Sequence, residues 1–343
     1  MNQAYVIKKS AGGKTPYEAV QRANPLPTTL PKDSAVVDII ASALNHRDNW
    51  ITQGMYPGIT EGVTLGSDCV GICASSPNSQ WIGKRVVLDP SVGWGNHSPL
   101  APKGKLSILG TPLNGTFAKQ ICIPEANLRL CPEFLTNFQA AALPLAGVTA
   151  YRAVVTKGQC RPGSNVLVTG IGGGVAIFAV QIAVALGANV YVTSSNDDKL
   201  ERSHKTLGSK GGANYKTDPK WTDTLVKQLG GKNIKFDLVV DGGGEVGALI
   251  KLTAGGGKIV SYGATASPSV QLVLPQLFLN NIDLLGTAMG SPEDFDGLVA
   301  LVNAKRIIPV VDEVFDFTEF PIALDKMRQG KQFGKLVLDH SKL

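Results

Sequence analysis

The sequence predicts a two-domain α/β protein that combines a mostly β module with a doubly wound parallel sheet. Up to about residue 126, Gly- and Pro-rich loops separate short β-type runs such as AVVDIIASAL, RVVLDP and FAKQICIP. From about residue 130, helices alternate with near-continuous Val, Ile and Leu runs, which is the pattern of parallel strands covered on both faces. A length of 343 residues is sufficient for two such domains.

The elements of the α/β part follow from its apolar runs and the residues that interrupt them. A first helical segment, QAAALPLAGVTAYRAVV, is broken at Pro144, which cannot continue a helix. A buried strand, a helix and a second strand follow in NVLVTG, GGVAIFAVQIAVALG and NVYVTSS. The alternation continues through the helix DDKLERSHKTLG, the strand GANYKT, the helix WTDTLVKQLG, the strand FDLVVDGGG, the helix EVGALIKLTAGG and the strand KIVSYG. The chain ends with the helix EDFDGLVALVNAK, the run VDEVFDF, a further helix and the strand KLVLD.

Composition and charge argue against several classes of protein. The net charge of +6 is scattered, without the concentrated basic patch or motif that nucleic-acid binding normally shows, and an anionic ligand explains part of the excess equally well. The most apolar run, VAIFAVQIAVALGANV, is too short for a membrane span and indicates a buried helix. The five cysteines are dispersed without a CxxC pair, which favours a reducing compartment over a disulfide framework. We therefore expect no nucleic-acid partner and no membrane association.

The last three residues of the sequence are a candidate targeting signal. Ser341, Lys342 and Leu343 match the terminal tripeptide that the peroxisomal import receptor reads, and the alternative is an ordinary polar tail. A receptor binds such a tripeptide only where it is accessible, so the tail is expected to be exposed. The sequence thus predicts the peroxisomal matrix as the location and the import receptor as a partner.

The segment VLVTGIGGGVAIFAVQIAVALGANVYVTSS has the composition of a dinucleotide site. A strand leads into glycines and the glycines into a helix, with a second strand about twenty residues on, so Gly170, Gly173 and Ala176 fit the spaced-glycine fingerprint. Gly170 permits the tight turn, Gly173 lets the pyrophosphate approach the backbone, and the helix N-terminus offers free N–H groups to the phosphates. An ordinary tight turn is the alternative, but the βαβ setting favours a dinucleotide.

The end of the second strand favours NADPH over NADH. An NAD site usually has Asp or Glu there to accept from the ribose 2′-hydroxyl, whereas this strand ends Ser194-Ser195 and its first carboxylate is Asp197. Lys199 and Arg202 follow and could bind a 2′-phosphate, although both could instead belong to the solvated face of a helix.

Taken together, the motifs resemble those of the medium-chain dehydrogenase/reductase superfamily over essentially the whole chain. The segments that carry the resemblance are ALNHRD, LGSD, NGTFAKQICIP, AALPLAGVTAYRAV, VTGIGGGVAIFAVQIA, GGKIVSYG and FGKLVL. The resemblance implies a GroES-like, mostly β catalytic domain wrapped around a Rossmann domain with a doubly wound parallel sheet. The corresponding boundaries are residues 1–129 for the first part of the catalytic domain, 130–288 for the NADPH-binding Rossmann domain and 289–343 for the return to the catalytic domain.

The resemblance also implies that the chain binds no zinc. Zinc-containing members have Cys where this chain has Asn45, Gly-His-Glu where it has Gly66-Ser67-Asp68, and a second Cys where it has Leu145. The lobe that carries four structural cysteines in such members reads DPSVGWGNHSPLAPKGK here, without a cysteine. The chain is accordingly most similar to the zinc-free, quinone oxidoreductase-like branch.

Matching positions assign expected roles to individual residues. Asn45 lines the nicotinamide pocket, and Tyr56 is the candidate donor of a proton or of a hydrogen bond to an enolate, with packing in a turn as the alternative. Arg47 and Asp48 are expected to form a structural ion pair, with acid/base chemistry as the alternative, and Cys69 and Cys73 are expected to lie in the core. The expected cofactor contacts are Thr149 at the nicotinamide, Gly173, Gly174 and Val175 at the pyrophosphate, Ser194, Ser195, Lys199 and Tyr215 at the 2′-phosphate, and Tyr262 and Gly263 at the border of the cofactor cleft.

The expected activity is zinc-independent, NADPH-dependent hydride transfer to a quinone or an α,β-unsaturated carbonyl compound. One alternative is a peroxisomal enoyl-thioester reductase, and another is an NADPH-binding sensor or scaffold with little turnover. The resemblance also implies a homodimer formed through edge strands near residues 282–286.

Overall fold

The computed structural model describes residues 2–13, 15–95, 100–231, 233–244 and 246–343. The chain forms two compact units: unit 1 consists of Met1–Ala146 and Ser291–Leu343, and unit 2 of Gly147–Gly290. The first division therefore lies later in the chain than the boundary at 129/130 that the sequence suggests. The helical segment after residue 130 begins on unit 1, where its first helix packs against the β-sheet.

The described residues form seventeen strands. They are β1 (Gln3–Lys9), β2 (Tyr17–Ala23), β3 (Ser34–Ala43), β4 (Asp68–Ser75), β5 (Arg85–Leu88), β6 (Ser91–Val92), β7 (Ser107–Ile108), β8 (Gln120–Pro124), β9 (Leu128–Leu130), β10 (Asn165–Val168), β11 (Asn189–Ser194), β12 (Gly211–Asn214), β13 (Phe236–Asp241), β14 (Thr253–Ser261), β15 (Asp283–Gly286), β16 (Val311–Asp316) and β17 (Lys335–Asp339).

The same residues form ten α-helices. They are α1 (His46–Thr52), α2 (Asn137–Ala141), α3 (Pro144–Tyr151), α4 (Gly174–Ala185), α5 (Asp197–Leu207), α6 (Trp221–Gln228), α7 (Val246–Leu252), α8 (Leu274–Phe278), α9 (Pro292–Lys305) and α10 (Phe320–Arg328). Pro144 is the first residue of α3, and this helix continues into a π-helical turn at Arg152–Lys157. Within the described ranges, no helix has the length and apolarity that crossing a membrane requires.

Unit 2 contains the doubly wound parallel sheet that the sequence predicts. Its strand order is β12-β11-β10-β13-β14-β15, and every neighbouring pair is parallel. The order reverses between β10 and β13, and in such sheets ligands bind at the carboxyl ends of the strands near that point. Because β10 lies at the centre, its residues Val166, Leu167 and Val168 are fully buried.

One helix boundary in unit 2 was predicted wrongly. The segment EVGALIKLTAGG was expected to be helical throughout, but α7 ends at Leu252 and β14 begins at Thr253. Thr253 donates its hydroxyl to Leu249 O, and the glycines that follow favour extended or left-handed backbone, with Gly256 at a φ of +73°. Glu245, the first residue of the predicted helix, lies outside the described residues.

Unit 1 contains a seven-stranded sheet with the order β16-β17-β3-β4-β5-β9, in which β8 also pairs with β3. The final strand β17 runs antiparallel to β3 and parallel to β16, so the C-terminal part of the chain completes the N-terminal sheet. Cys69 and Cys73 of β4 are buried in the core, as expected. In a second cluster the ring of Phe320 packs against those of Tyr5 and Phe117, with centroid distances of 4.6 Å and 5.1 Å.

Candidate active site

The glycine turn after β10 has the geometry of a phosphate-binding loop. Gly170 adopts a left-handed φ of +65°, and its N–H donates to Thr193 Oγ1 on the neighbouring strand. Gly173 caps α4, whose first residues Gly174 and Val175 present backbone N–H groups that the helix cannot satisfy. A Cβ on Gly173 would meet no atom within 4 Å, so the space over this residue is open.

Gly172 is a constrained glycine that the spacing of the fingerprint does not identify. Its φ is +135°, a conformation that residues with a Cβ rarely adopt, and a Cβ there would lie 3.0 Å from both Nζ and Cδ of Lys199. The ammonium group of Lys199 is therefore held over the glycine turn rather than on the solvated face of α5. This position suits an anion bound at the turn.

Of the predicted 2′-phosphate residues, Ser194 and Ser195 lie at the end of β11, Lys199 in the following helix α5, and Tyr215 directly after β12. Ser194 is buried and its carbonyl accepts from Tyr215 N at 3.0 Å, while Ser195 and Tyr215 are exposed. Asn196 follows and caps α5 through an Oδ1 bond from Lys199 N. The first carboxylate after the strand, Asp197, accepts from Asn214 Nδ2 at 2.9 Å, so it already has a partner within the protein.

Tyr262 and Gly263 lie just after β14, at the same end of the sheet. The Tyr262 hydroxyl is 2.4 Å from the position that a Cβ on Gly242 would take, so the ring requires a glycine there. Burial, together with the nearby Asp241 carboxylate, raises the pKa of the Tyr262 phenol and keeps it protonated. Thr149 is buried in α3.

In unit 1, Asn45 lies at the N-terminus of α1 within a network of buried polar groups. Its Nδ2 donates to Asp68 Oδ2 at 2.9 Å, and its Oδ1 accepts from Lys335 Nζ at 2.6 Å. Lys335 also pairs with Asp68 Oδ2 at 2.9 Å, with side-chain exposures of 4% and 0%. The other oxygen, Asp68 Oδ1, accepts from Leu145 N at 2.7 Å. Lys335 was not predicted as a site residue, although it belongs to the segment FGKLVL that carries part of the resemblance.

Asp48 accepts from Asn45 N at 2.8 Å and thereby stabilises the start of α1. The side chain is fully buried, and its Oδ1 is without a hydrogen-bond partner. Burial raises the pKa of this carboxyl to about 6, although attraction from Arg47 and the hydrogen bond from Asn45 N oppose the shift. Asp48 therefore carries a desolvation penalty at neutral pH.

Arg47 has other partners than the ion pair expected with Asp48. Its guanidinium donates to Ser67 Oγ at 2.6 Å, to Leu109 O, and to Thr111 O at 3.1 Å. The same group lies 4.7 Å from the ring centroid of Tyr56, which is half-buried. The expected ion pair with Asp48 was therefore wrong, because neutral carbonyl and hydroxyl oxygens accept the hydrogen bonds of the guanidinium. Tyr56 packs against this cation, in agreement with its packing alternative, and its proposed donor role stays a prediction.

The residues at the family's zinc-ligand positions do not fit a catalytic zinc ion. Asn45 offers an amide whose oxygen is occupied by Lys335, Ser67 donates to Leu109 O, and Leu145 has no donor side chain. Asp68 is the one carboxylate among them, and its two oxygens accept from Lys335, Asn45 and a backbone N–H. Across the described ranges, no three His, Cys, Asp or Glu residues are grouped so that they could hold a metal ion.

Family models match both parts of the chain. Residues 31–133 match the alcohol dehydrogenase GroES-like domain, and residues 174–304 match the zinc-binding dehydrogenase domain. Among named relatives, the zinc-type alcohol dehydrogenase-like protein YogA of Leptosphaeria maculans is 37% identical over 97% of both chains. The acryloyl-coenzyme A reductase of Metallosphaera sedula is 26% identical and covers 98% of this chain and 99% of its own.

Solved structures support the same assignment. A crystal structure of an NAD-dependent alcohol dehydrogenase is 33% identical, with a TM-score of 0.87 and coverage of 98% of this chain and 99% of that one. The crotonyl-CoA carboxylase/reductase AntE in complex with NADP has a TM-score of 0.88 at 19% identity, covering 98% and 94%, and so shows the shared fold. The chain belongs to the medium-chain dehydrogenase/reductase superfamily and is an oxidoreductase of that family.

Proposed function

We propose that the protein is a zinc-independent, NADPH-dependent reductase of quinones or α,β-unsaturated carbonyl compounds. The observation that carries the proposal is the set of side chains at the family's zinc-ligand positions in unit 1. Asn45 and Asp68 are bound to the Lys335 ammonium, so the positions that hold zinc in alcohol dehydrogenases present hydrogen bonds rather than metal ligands. Oxidation of an alcohol benefits from a Lewis acid at the developing alkoxide, whereas reduction of a conjugated carbonyl needs hydrogen-bond donors at a developing enolate.

Unit 2 supports NAD(P)H as the cofactor and favours NADPH. The turn at Gly170 to Gly174 and the N-terminus of α4 suit the pyrophosphate, and Tyr262 and Gly263 lie at the same end of the sheet. Ser194, Ser195, Lys199 and Tyr215 would surround a 2′-phosphate, and Asp197 is engaged by Asn214 rather than available to a ribose hydroxyl. When bound, the reduced cofactor supplies a hydride.

The protein's own groups would hold the substrate carbonyl. The second Nδ2 hydrogen of Asn45 is left over after the bond to Asp68 and can donate to an oxygen that gains negative charge. Tyr56 would be the candidate donor of a proton or of a second hydrogen bond to the enolate. Thr149 would contact the nicotinamide.

An enoyl-thioester substrate is the second candidate. The observation that favours it is the similarity to an acryloyl-coenzyme A reductase over nearly the whole of both chains. Both substrate classes share a carbon–carbon double bond conjugated to a carbonyl, so the same donor geometry serves either one.

The test is NADPH oxidation at 340 nm with purified protein, a panel of quinones and enones, and crotonyl-CoA. We expect turnover with at least one conjugated carbonyl, turnover that persists after treatment with a chelator, and no stoichiometric zinc by metal analysis. NADPH binding without any turnover would refute the reductase and favour a sensor or scaffold. One equivalent of zinc per chain would refute the zinc-independent mechanism. As a test of cofactor choice, Lys199→Ala should weaken NADPH binding about tenfold or more and NADH binding by a clearly smaller factor, because only NADPH offers the ammonium a 2′-phosphate.

We also propose import into the peroxisome through Ser341-Lys342-Leu343. Ser341 and Lys342 are exposed, and Lys342 pairs with Asp316 at 2.6 Å, whereas Leu343 is half-buried against the aromatic cluster of unit 1. Receptor binding would therefore require Leu343 to leave this contact. Deletion of residues 341–343 from a protein tagged at its N-terminus should abolish peroxisomal localisation, and an unchanged location would refute the proposal.

We also propose that the protein forms a homodimer through β15. This strand lies at the edge of the unit 2 sheet, where its unpaired backbone groups can bind a second strand. Large apolar side chains are exposed beside it, including Phe278 at 61% and Leu279 at 73%. A second copy of the chain would cover both features.

A further inference from the structure

The amide of Asn45 has its orientation fixed by its two partners. A lysine ammonium can only donate and an ionised carboxylate can only accept, so Oδ1 must face Lys335 and Nδ2 must face Asp68. The alternative flip would set NH₂ against an ammonium and an amide oxygen against a carboxylate. Asn45 therefore presents an N–H, and never its oxygen, to any ligand.

The network around Asn45 is complete apart from this one hydrogen. Asp68 accepts from Asn45, Lys335 and Leu145 N, and Lys335 donates to the two side chains. Among the hydrogen bonds of the described residues, the second Nδ2 hydrogen of Asn45 has no acceptor. With exposures between 0% and 6%, the three side chains are shielded from water, which strengthens the polarisation of one group by the next.

The fold holds this arrangement rigidly. Lys335 opens β17, Asp68 opens β4, and both strands pair with β3, which leads through Leu44 to Asn45. Each charged group is therefore anchored at a strand end in one sheet. Groups positioned in this way need little reorganisation when charge develops beside them.

We propose that Lys335 is a positioning residue of the reductase, which locks and polarises the Asn45 amide so that its free N–H binds the substrate's carbonyl oxygen. This inference rests on the proposed function and identifies how an ammonium takes over electrostatic work that a metal performs in zinc-containing relatives. The reduced cofactor, when bound, would supply the hydride that forms a C–H bond at the β-carbon. The π electrons of the double bond move to the carbonyl oxygen, the resulting enolate accepts the Asn45 N–H bond, and a solvent proton then adds to the α-carbon.

Lys335→Met alone would leave the Asp68 carboxylate buried and unpaired, and the protein could fail to fold. The informative variant is therefore Lys335→Met with Asp68→Asn, which removes both charges together. Lys326→Met is the matched control, because Lys326 is also ion-paired in unit 1, with Asp312 and Glu313 at 2.6 Å each. Lys335→Arg, which keeps a cation, serves as the conservative variant.

The expected result is a loss of about tenfold or more in kcat for the double variant, at an unchanged melting temperature and an unchanged Kd for NADPH. Lys326→Met should retain full kcat, and Lys335→Arg should recover part of it. A double variant that folds, binds NADPH and turns over at the wild-type rate would overturn the inference. So would a loss of kcat that only follows a loss of folded protein.

A second readout does not depend on turnover. 4-Nitrophenol, bound in the presence of NADP⁺, mimics a carbonyl oxygen that gains charge, and its absorbance reports its ionisation. Wild-type protein should bind the phenolate form and lower the probe's pKa, and this shift should shrink in the double variant. A wild-type protein that does not favour phenolate, or an equal shift in both proteins, would overturn the role of Lys335. Absence of turnover across the substrate panel, with the probe shift intact, would instead refute the proposed function alone.

Discussion

Replacing Asp48 by Asn measures what a buried carboxyl costs this fold at neutral pH. Asp48 is fully buried, accepts one bond from Asn45 N and leaves Oδ1 without a partner. Its pKa is raised by burial from 3.8 to about 6, so the folded state binds the proton more tightly than the unfolded state. The stability contributed by this carboxyl is therefore full below 3.8 and is lost as the pH rises through about 6.

The magnitude follows from this shift. At about 1.4 kcal/mol per pKa unit, the loss between about pH 4.5 and about pH 8 amounts to about 2 kcal/mol. An asparagine can still accept from Asn45 N, but its NH₂ group meets no partner on the other side, which costs about 1–3 kcal/mol at every pH. Asp48→Asn should thus be clearly destabilised at pH 4.5, and its deficit should shrink by about 2 kcal/mol at pH 8.

Equilibrium urea unfolding at a series of pH values supplies the measurement, with the difference from wild type taken at each pH. Asp38→Asn on β3 is the matched reference, because Asp38 is exposed and its loss reports the effect of a surface charge. The reasoning would be refuted if the stability difference for Asp48→Asn stayed constant within about 0.5 kcal/mol from pH 4.5 to pH 8.

Three further changes test other parts of the molecule. Gly173→Ala should preserve the melting temperature, because a Cβ there meets no atom within 4 Å, yet weaken NADPH binding about tenfold or more in calorimetric titration because the methyl group displaces the pyrophosphate; unchanged affinity would contradict the phosphate assignment. Burial lowers the pKa of His340 from 6.5 to about 3, so the unfolded state binds the proton first, and the folded state should lose about 2.5 kcal/mol of stability between pH 7 and pH 4.5. His340→Gln should remove this slope in urea unfolding, and a slope that persists would exclude His340 as its source. Phe278→Glu should convert a dimer to a monomer in sedimentation velocity without changing NADPH affinity, whereas a persistent dimer would place the interface elsewhere.

The sequence predicted the parallel sheet and the glycine turn that follows β10 because both depend on local patterns. The run from Val166 to Val168, the turn at Gly170 and the following helix are contiguous, so periodicity and spacing identify them together. Gly172 was not predicted, because the fingerprint depends only on the spacing of the glycines. The need for glycine at this position comes from its positive φ and from the nearby ammonium of Lys199.

The network of unit 1 could be predicted only in part. Resemblance identified Asn45 and Asp68 as substitutes for metal ligands, but it did not reveal what they bind. Their partner Lys335 lies 290 residues beyond Asn45, and the surrounding sequence looks like the ordinary start of a strand. Pairing of β17 with β3 creates the contact, and no local signal encodes that tertiary pairing. The same limit applies to Arg47, whose acceptors Leu109 O and Thr111 O are backbone atoms of a distant loop.

The place of β17 in the sheet has a consequence for how the chain is made. All of unit 2 emerges from the ribosome before β16 and β17, and its sheet contains no strand from outside residues 147–290. Unit 1, in contrast, waits for its last strands, and until Lys335 is synthesised Asp68 has no ammonium to pair with. Translation therefore imposes an order in which unit 2 can form while unit 1 is still incomplete, and a chain that terminates before β17 lacks the lysine that pairs with Asp68.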